Sequence, residues 1–408
     1  MKTNNVKTVL SGALFGVSLG LMQSAAAQAP AGGIPFGPMI AYPSIDASLG
    51  YNDNVLATNS NKVSSTTTSI TPSVRLEGKF GSKDIEIGAR TNLLQYTSSS
   101  ADKTTTYSLY ALGNLALTER TGLKLRGEYQ RGADARGSTD VNAPTPSTWD
   151  QNGIDGVFAY GAPGAQGRIE VDGAYYTRRY QNNPVVTTAL NTDKATLGGT
   201  FFWRVAPKTE LLFQAQQTNI DYKLSTSFQD STERRYLVGA KWEATALTSG
   251  TFKIGRQTKD FSAAGRNDFS GVSWDAGVRW SPLTYSVFDF TAAKRTTEST
   301  GTGDFLLSNM LGANWNHAWN SRVSSGLLAN WKRDQFMGVG NGINLGRIDS
   351  TLTLGANLSY AYSRTLKFGA DYTHTGRDSK IPISIFGVLP PNLNYQRNVF
   401  MLTVKATL

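Results

Sequence analysis

The stretch NVFMLTVKATL (398–408) carries an apolar side chain at every second position after Asn398: Phe400, Leu402, Val404, Ala406 and Leu408. Residues two apart in a β-strand share a face, so this is a strand with one apolar face. That face needs cover from a protein core or from lipid, and each edge of the strand needs a hydrogen-bonding partner. The choice of cover decides the fold.

The same alternation recurs upstream. DIEIGARTNLL (84–94), LKLRGEYQ (123–130), RIEVDGAYYTR (168–178) and TLKFGADYTH (365–374) each set Ile, Leu, Val, Phe, Tyr, Ala or Gly on one face and charged or amide groups on the other. Helical periodicity is nowhere sustained. Eighteen such segments can be counted between residues 43 and 408. Their connections alternate long and short, from 53–66 then 81–83 and 98–104 then 119–121 through to 333–346 then 361–364, ending on the long 375–395. A soluble sandwich has no reason to segregate its loops in this way, whereas a membrane barrel has long outer loops and short periplasmic turns. The predicted fold is therefore all-β, a transmembrane antiparallel barrel of about 18 strands over residues 43–408. An even strand number places both ends of the barrel on the periplasmic side and lets the last strand pair with the first.

The N-terminal stretch fits an exported chain. Lys2 and Lys7, an apolar run from Val9 to Met22 and Ala25-Ala26-Ala27 read as a signal peptide over residues 1–27, leaving a short periplasmic tail at 28–42. No other segment approaches the ~20 apolar residues of a membrane helix. The absence of cysteine excludes disulfides, thiolate metal sites and thiol nucleophiles. Net charge falls from +10 to +8 when Lys2 and Lys7 leave, and the basic residues are dispersed, so no nucleic-acid partner is expected.

With odd-numbered strands running outward, Phe80, Trp203, Trp242, Trp280 and Tyr360 fall at periplasmic strand ends on the apolar face. Tyr51, Tyr129, Trp331 and Tyr372 fall at the outer ends. Aromatic girdles of this kind mark the two membrane interfaces. The opposite face lines the lumen. Parity assigns to it Arg75, Lys79, Arg90, Lys124, Arg126, Arg178, Arg204, Arg279 and Arg295, with Lys241, Lys253, Lys332, Lys367 and Lys405. Ten acids share that face, among them Glu77, Glu86, Glu128, Glu170, Asp172, Asp275 and Asp289, leaving a basic excess of four. Rows of basic side chains guide anions in pores; interleaved charges also pair across strands and stiffen a wet wall. Both readings stand at this stage.

Enzyme chemistry finds little support. His317 and His374 are the chain's two histidines, lie far apart in this register and have no sequence signature around them. Glu170 and Asp172 are spaced for acid–base work on a sugar, but Arg178 on the same face makes them part of a charged wall. FMGVGNGINLG (336–346) has Ile343 where a dinucleotide fingerprint needs its third glycine, and it reads as an outer loop. No metal spacing or cofactor motif is present. About fifteen residues precede the first strand, too few for a plug domain, so no TonB-dependent receptor is expected. That leaves room for an inward-folded outer loop, such as 132–147 or 375–395, to narrow the pore.

The first strand and its exit, PSIDASLGYNDNVLA (43–57), and the hairpin VRWSPLTYSVFDFTAAKRTTEST (278–300) resemble the outer-membrane β-barrel porin family that accompanies exopolysaccharide export genes. In that hairpin Trp280 would anchor the periplasmic interface and Ser281-Pro282 would set the tight turn. The resemblance implies a barrel without catalytic residues that completes polysaccharide secretion. Its implied partners are the polysaccharide, a periplasmic polysaccharide export protein and an inner-membrane chain-length regulator. The terminal strand is similar to the signal read by the barrel-assembly machinery, although it ends on Leu408 rather than an aromatic residue. The expectation is an exit conduit for an exopolysaccharide. The alternatives are a general or anion-preferring diffusion porin and a surface structural or adhesive protein whose loops do the work.

Overall fold

The computed structural model describes residues 32–139, 143–162, 164–245, 247–301, 303–338, 346–381 and 392–408. The expected signal peptide (1–27) and the start of the tail lie outside the described residues. So do 339–345 of the glycine-rich stretch, 140–142 of one long loop and 382–391 of another.

A three-residue strand β1 (Ile34–Phe36) is followed by β2 (Met39–Asn52), β3 (Ser65–Phe80), β4 (Lys83–Tyr96), β5 (Thr104–Ala116), β6 (Thr121–Asp134) and β7 (Ser147–Tyr160). Next come β8 (Gly167–Tyr180), β9 (Thr192–Ala206), β10 (Thr209–Tyr222), β11 (Ser231–Thr245), β12 (Thr248–Phe261) and β13 (Phe269–Leu283). The series ends with β14 (Ser286–Glu298), β15 (Phe305–Ala318), β16 (Val323–Met337), β17 (Ile348–Ala361), β18 (Leu366–Lys380) and β19 (Tyr395–Thr407). From β2 onward each strand pairs antiparallel with the next, and β19 pairs back onto β2 with Leu402 opposite Leu49 and Val404 opposite Ala47. Eighteen long strands thus form a closed barrel, and the terminal stretch is the strand that seals it.

Register sorts the side chains into two faces. Leu402 lies opposite Leu49 and Ala370, and Ile70 opposite Leu93, so apolar residues of neighbouring strands meet on one side. Those residues are exposed, 52% for Leu402 and 55% for Leu49, which an aqueous surface would not tolerate as a continuous band. Lipid covers this face. Tight turns join the periplasmic ends; in the β3–β4 turn Gly81 sits at φ +64°, a conformation that suits glycine.

Three features differ from the sequence reading. Residues 34–36 and 39–42 of the expected tail are strand: Ile34 pairs with Ala41, and Ile40 continues β2 against Glu77. Ser281-Pro282 do not form the tight turn. They lie within β13, where the register breaks between Trp280 and Leu283, because proline has no N–H to give the ladder and the strand bulges around it. The outer strand ends also run further than their alternation does. β16 continues to Met337, so Trp331 lies six residues inside its strand rather than at its end. Backbone pairing needs no apolar face once the strand has left the membrane.

The lumenal wall as candidate functional site

Along β3 and β4, Arg75 contacts Glu77 on its own strand and lies 3.9 Å from Glu86 across the ladder. Arg126 pairs with Glu128, Arg279 with Asp289 at 2.6 Å, and Lys253 approaches Asp275 at 3.7 Å. Arg178 donates to Gln151 at 2.9 Å and stacks 4.0 Å over the Trp149 ring, while Arg204 donates to the Gly164 carbonyl. Lys79, Arg90 and Lys124 make no ion pair or side-chain hydrogen bond among the described residues. Of the nine basic residues, Arg75, Arg126 and Arg279 are ion-paired and Arg178 and Arg204 have neutral acceptors, so paired and free charges are interspersed along a polar surface without a concentrated trap. Replacing Arg90 and Lys124 together by glutamate is expected to move ion selectivity in planar bilayers toward cations. Replacing Arg126 and Glu128 together by glutamine removes an ion pair without changing the net charge and should leave selectivity nearly unchanged. Equal shifts from the two double variants would contradict the assignment of Arg90 and Lys124 as free charges of the wall.

The wall is not a simple cylinder. Pairing between β13 and β14 stops at Trp274 and Lys294, although β12 still pairs with β13 out to Phe269. Beyond Lys294, β14 steps inward and lies across the lumenal face of β13 and β12. The Ser273 hydroxyl donates to the Lys294 carbonyl at 2.9 Å, and Thr296 contacts Gln257 through both its hydroxyl and its backbone N–H. Thr296 also donates to Glu233 at 2.7 Å. Lys259, fully buried, bridges Glu233 at 3.0 Å and Glu298 at 2.8 Å, and the Tyr222 hydroxyl donates to Glu298 at 2.6 Å. Phe305, at the start of β15, packs against Phe261 and Phe269. Arg266 from the next loop reaches Asp304. This step is an inward element among the described residues; 140–142 and 382–391 of the two loops named above lie outside them. Elsewhere on the rim Arg136 holds Asp102, which raises the guanidinium above its ordinary value, and Gly137 abuts the Leu56 carbonyl.

The residues weighed for catalysis are dispersed. His317 packs on the outer face among Tyr285, Trp315 and Trp319, and His374 contacts Asn398 at 2.8 Å. Glu170 is held by Arg168, and Asp172 accepts from Gln216. Of the expected girdle residues, Phe80, Trp203, Trp280 and Tyr360 are exposed on the apolar face near the short turns, and Trp242 and Trp331 are half-buried. The register also places two lumenal tyrosines, Tyr110 and Tyr176, in one row with Glu128, an alignment that only strand pairing reveals.

A closed barrel with an apolar outer face and a charged, hydrated inner one is an outer-membrane channel of the porin class. The chain belongs to the family described as "Putative beta-barrel porin 2", whose model matches residues 28–408. That family is one of channels, not enzymes, and its place is the outer membrane. No curated protein matches the sequence. Among solved structures it is similar to OpdO of Pseudomonas aeruginosa, at 11% identity over 90% of this chain and 97% of that one, with a TM-score of 0.48. The outer membrane protein OpdK of the same organism matches at 9% identity over 90% and 98%, with a TM-score of 0.47. The siderophore receptor PirA of Acinetobacter baumannii matches at 8% identity over 90% and 80%, with a TM-score of 0.45.

Proposed function

We propose that this barrel is the outer-membrane exit conduit for a secreted exopolysaccharide. The observation that carries the reading is the paired charge of the lumenal wall. A polymer that must slide through needs a wet, polar surface that binds weakly at many points, because a deep site would stall it. Arg75 with Glu77 and Glu86, Arg126 with Glu128, and Arg279 with Asp289 supply such a surface. The short-turn end faces the periplasm, where a polysaccharide export protein would dock and pass the chain on. The nine basic residues assigned to the wall act in this reading as part of the hydrated lining. The exposed rings of Phe80, Trp203, Trp280 and Tyr360, together with Trp242 and Trp331, seat the barrel at the lipid interfaces.

The free cations Lys79, Arg90 and Lys124 favour a second reading, an anion-preferring diffusion porin. Deleting the gene separates the two. For a conduit, extracellular polysaccharide is lost and polymer accumulates in the periplasm, while uptake of small solutes is unchanged. Normal secretion together with slowed uptake of small anions would overturn the conduit and establish the porin.

A further inference from the structure

We infer that Tyr110 and Tyr176 form a pair of stacking platforms for the pyranose rings of a saccharide chain in the lumen. The proposal deepens the conduit reading and rests on it. Both tyrosines belong to the inward row Gly88, Tyr110, Glu128, Gly153, Tyr176, each residue lying directly across the ladder from the next. Each leans sideways onto an inward glycine of the preceding strand. A Cβ built on Gly88 would fall on the Tyr110 ring, and one built on Gly153 on the Tyr176 ring.

The two platforms are built alike. In each, the phenol hydroxyl donates to a carboxylate two residues from the seating glycine, Glu86 for Tyr110 at 2.8 Å and Asp155 for Tyr176 at 2.5 Å. In each, that carboxylate lies one row nearer the periplasm. The glycine removes the side chain that would hold the ring off the wall, and the acid fixes its rotation. One side of the ring then rests on backbone and the other is turned to the lumen, which half-buried exposure allows.

Nothing in a diffusion pore requires this construction twice. A flat aromatic ring bordered by hydrogen-bonding groups suits a pyranose, which has an apolar face of C–H groups and a rim of hydroxyls. The groups between the platforms fit that rim. Glu128 is held by Arg126 and accepts from Gln151 at 3.3 Å. Three strand spacings separate the platforms, about 14 Å, so a short oligosaccharide reaches both. The row runs across tilted strands and therefore climbs the wall rather than circling it. Trp149, over Gly132, is not a third platform, because Arg178 closes its other face at 4.0 Å.

The test is equilibrium dialysis of radiolabelled maltohexaose against the purified full-length barrel in detergent. Saturable binding is expected for the native protein, with affinity falling about tenfold or more in the Tyr110→Ala, Tyr176→Ala double variant. The double Tyr→Phe variant keeps the rings on their glycine seats and loses only the acids' hold on their rotation, so it should bind between the native protein and the alanine variant. Gly88→Ala with Gly153→Ala lifts both rings from their seats while leaving them in the chain, and should also weaken binding. Heat-modifiable mobility checks that each variant is a folded barrel. Absence of saturable binding by the native protein, or equal binding by the alanine variant, would overturn the platforms. Those outcomes leave the conduit reading to the deletion experiment, which can fail while the platforms bind sugar.

Discussion

Replacing Lys259 by methionine is expected to destabilise the outer rim by about 3–5 kcal/mol, the usual cost of removing one partner from a buried ion pair. The lysine is fully buried and its ammonium serves two carboxylates, Glu233 at 3.0 Å and Glu298 at 2.8 Å. Without it the two acids face each other across a site that water reaches poorly. The strain falls on the outer end of β14, which has no strand partner on the β13 side to hold it. Tyr222 and Gln257 still bond to that segment, so local release rather than loss of the barrel is the result. In liposomes, protease should cut within residues 295–308 of the variant and spare the native chain, and single-channel conductance should rise. Adding Glu233→Gln and Glu298→Gln to the variant should restore resistance, because neutral groups need no buried counter-ion. Unchanged cleavage and conductance would show that the inward step is held by something other than this pair.

Leu402→Arg tests the seal of the barrel and should cost about 2–4 kcal/mol, the penalty of a cation near the lipid midplane. Leu402 is 52% exposed, sits midway along β19 and lies between Ala370 of β18 and Leu49 of β2. The strand in which it lies joins the two ends of the sheet, so a poorly inserted β19 leaves two open edges instead of one local defect. The variant should yield less folded barrel, measured by heat-modifiable mobility, and should unfold at lower urea. Thr403→Arg is the control. Its side chain points the other way, toward Ser48 at 2.9 Å, and water in the lumen solvates the charge. Similar losses from the two variants would place residue 402 away from lipid.

Most of the barrel can be read from side-chain order. The alternation in RIEVDGAYYTR (168–178) matches β8, where Ile169, Val171 and Tyr175 are exposed to lipid and Glu170, Asp172 and Tyr176 face in. Strand ends are harder to place from sequence, as Trp331 shows. Its alternation stops at the outer membrane surface, while Lys332, Arg333, Asp334 and Gln335 continue the ladder in water. Pro282 misleads in the opposite sense. A proline beside a serine reads as a turn, yet the chain passes it as a bulge and turns two residues later.

The sequence by itself determined the closed sheet and its membrane setting, because both follow from a period of two set against alternating loop lengths. Tertiary structure alone decided which charges are neutralised, where β14 leaves the wall and which glycines seat a ring. Each of these depends on partners brought together by strand pairing. Lys259 and Glu298 are 39 residues apart, and Gly88 takes its role from Tyr110 on the adjacent strand. No local pattern encodes such a meeting. It exists only once the ladder has set the register.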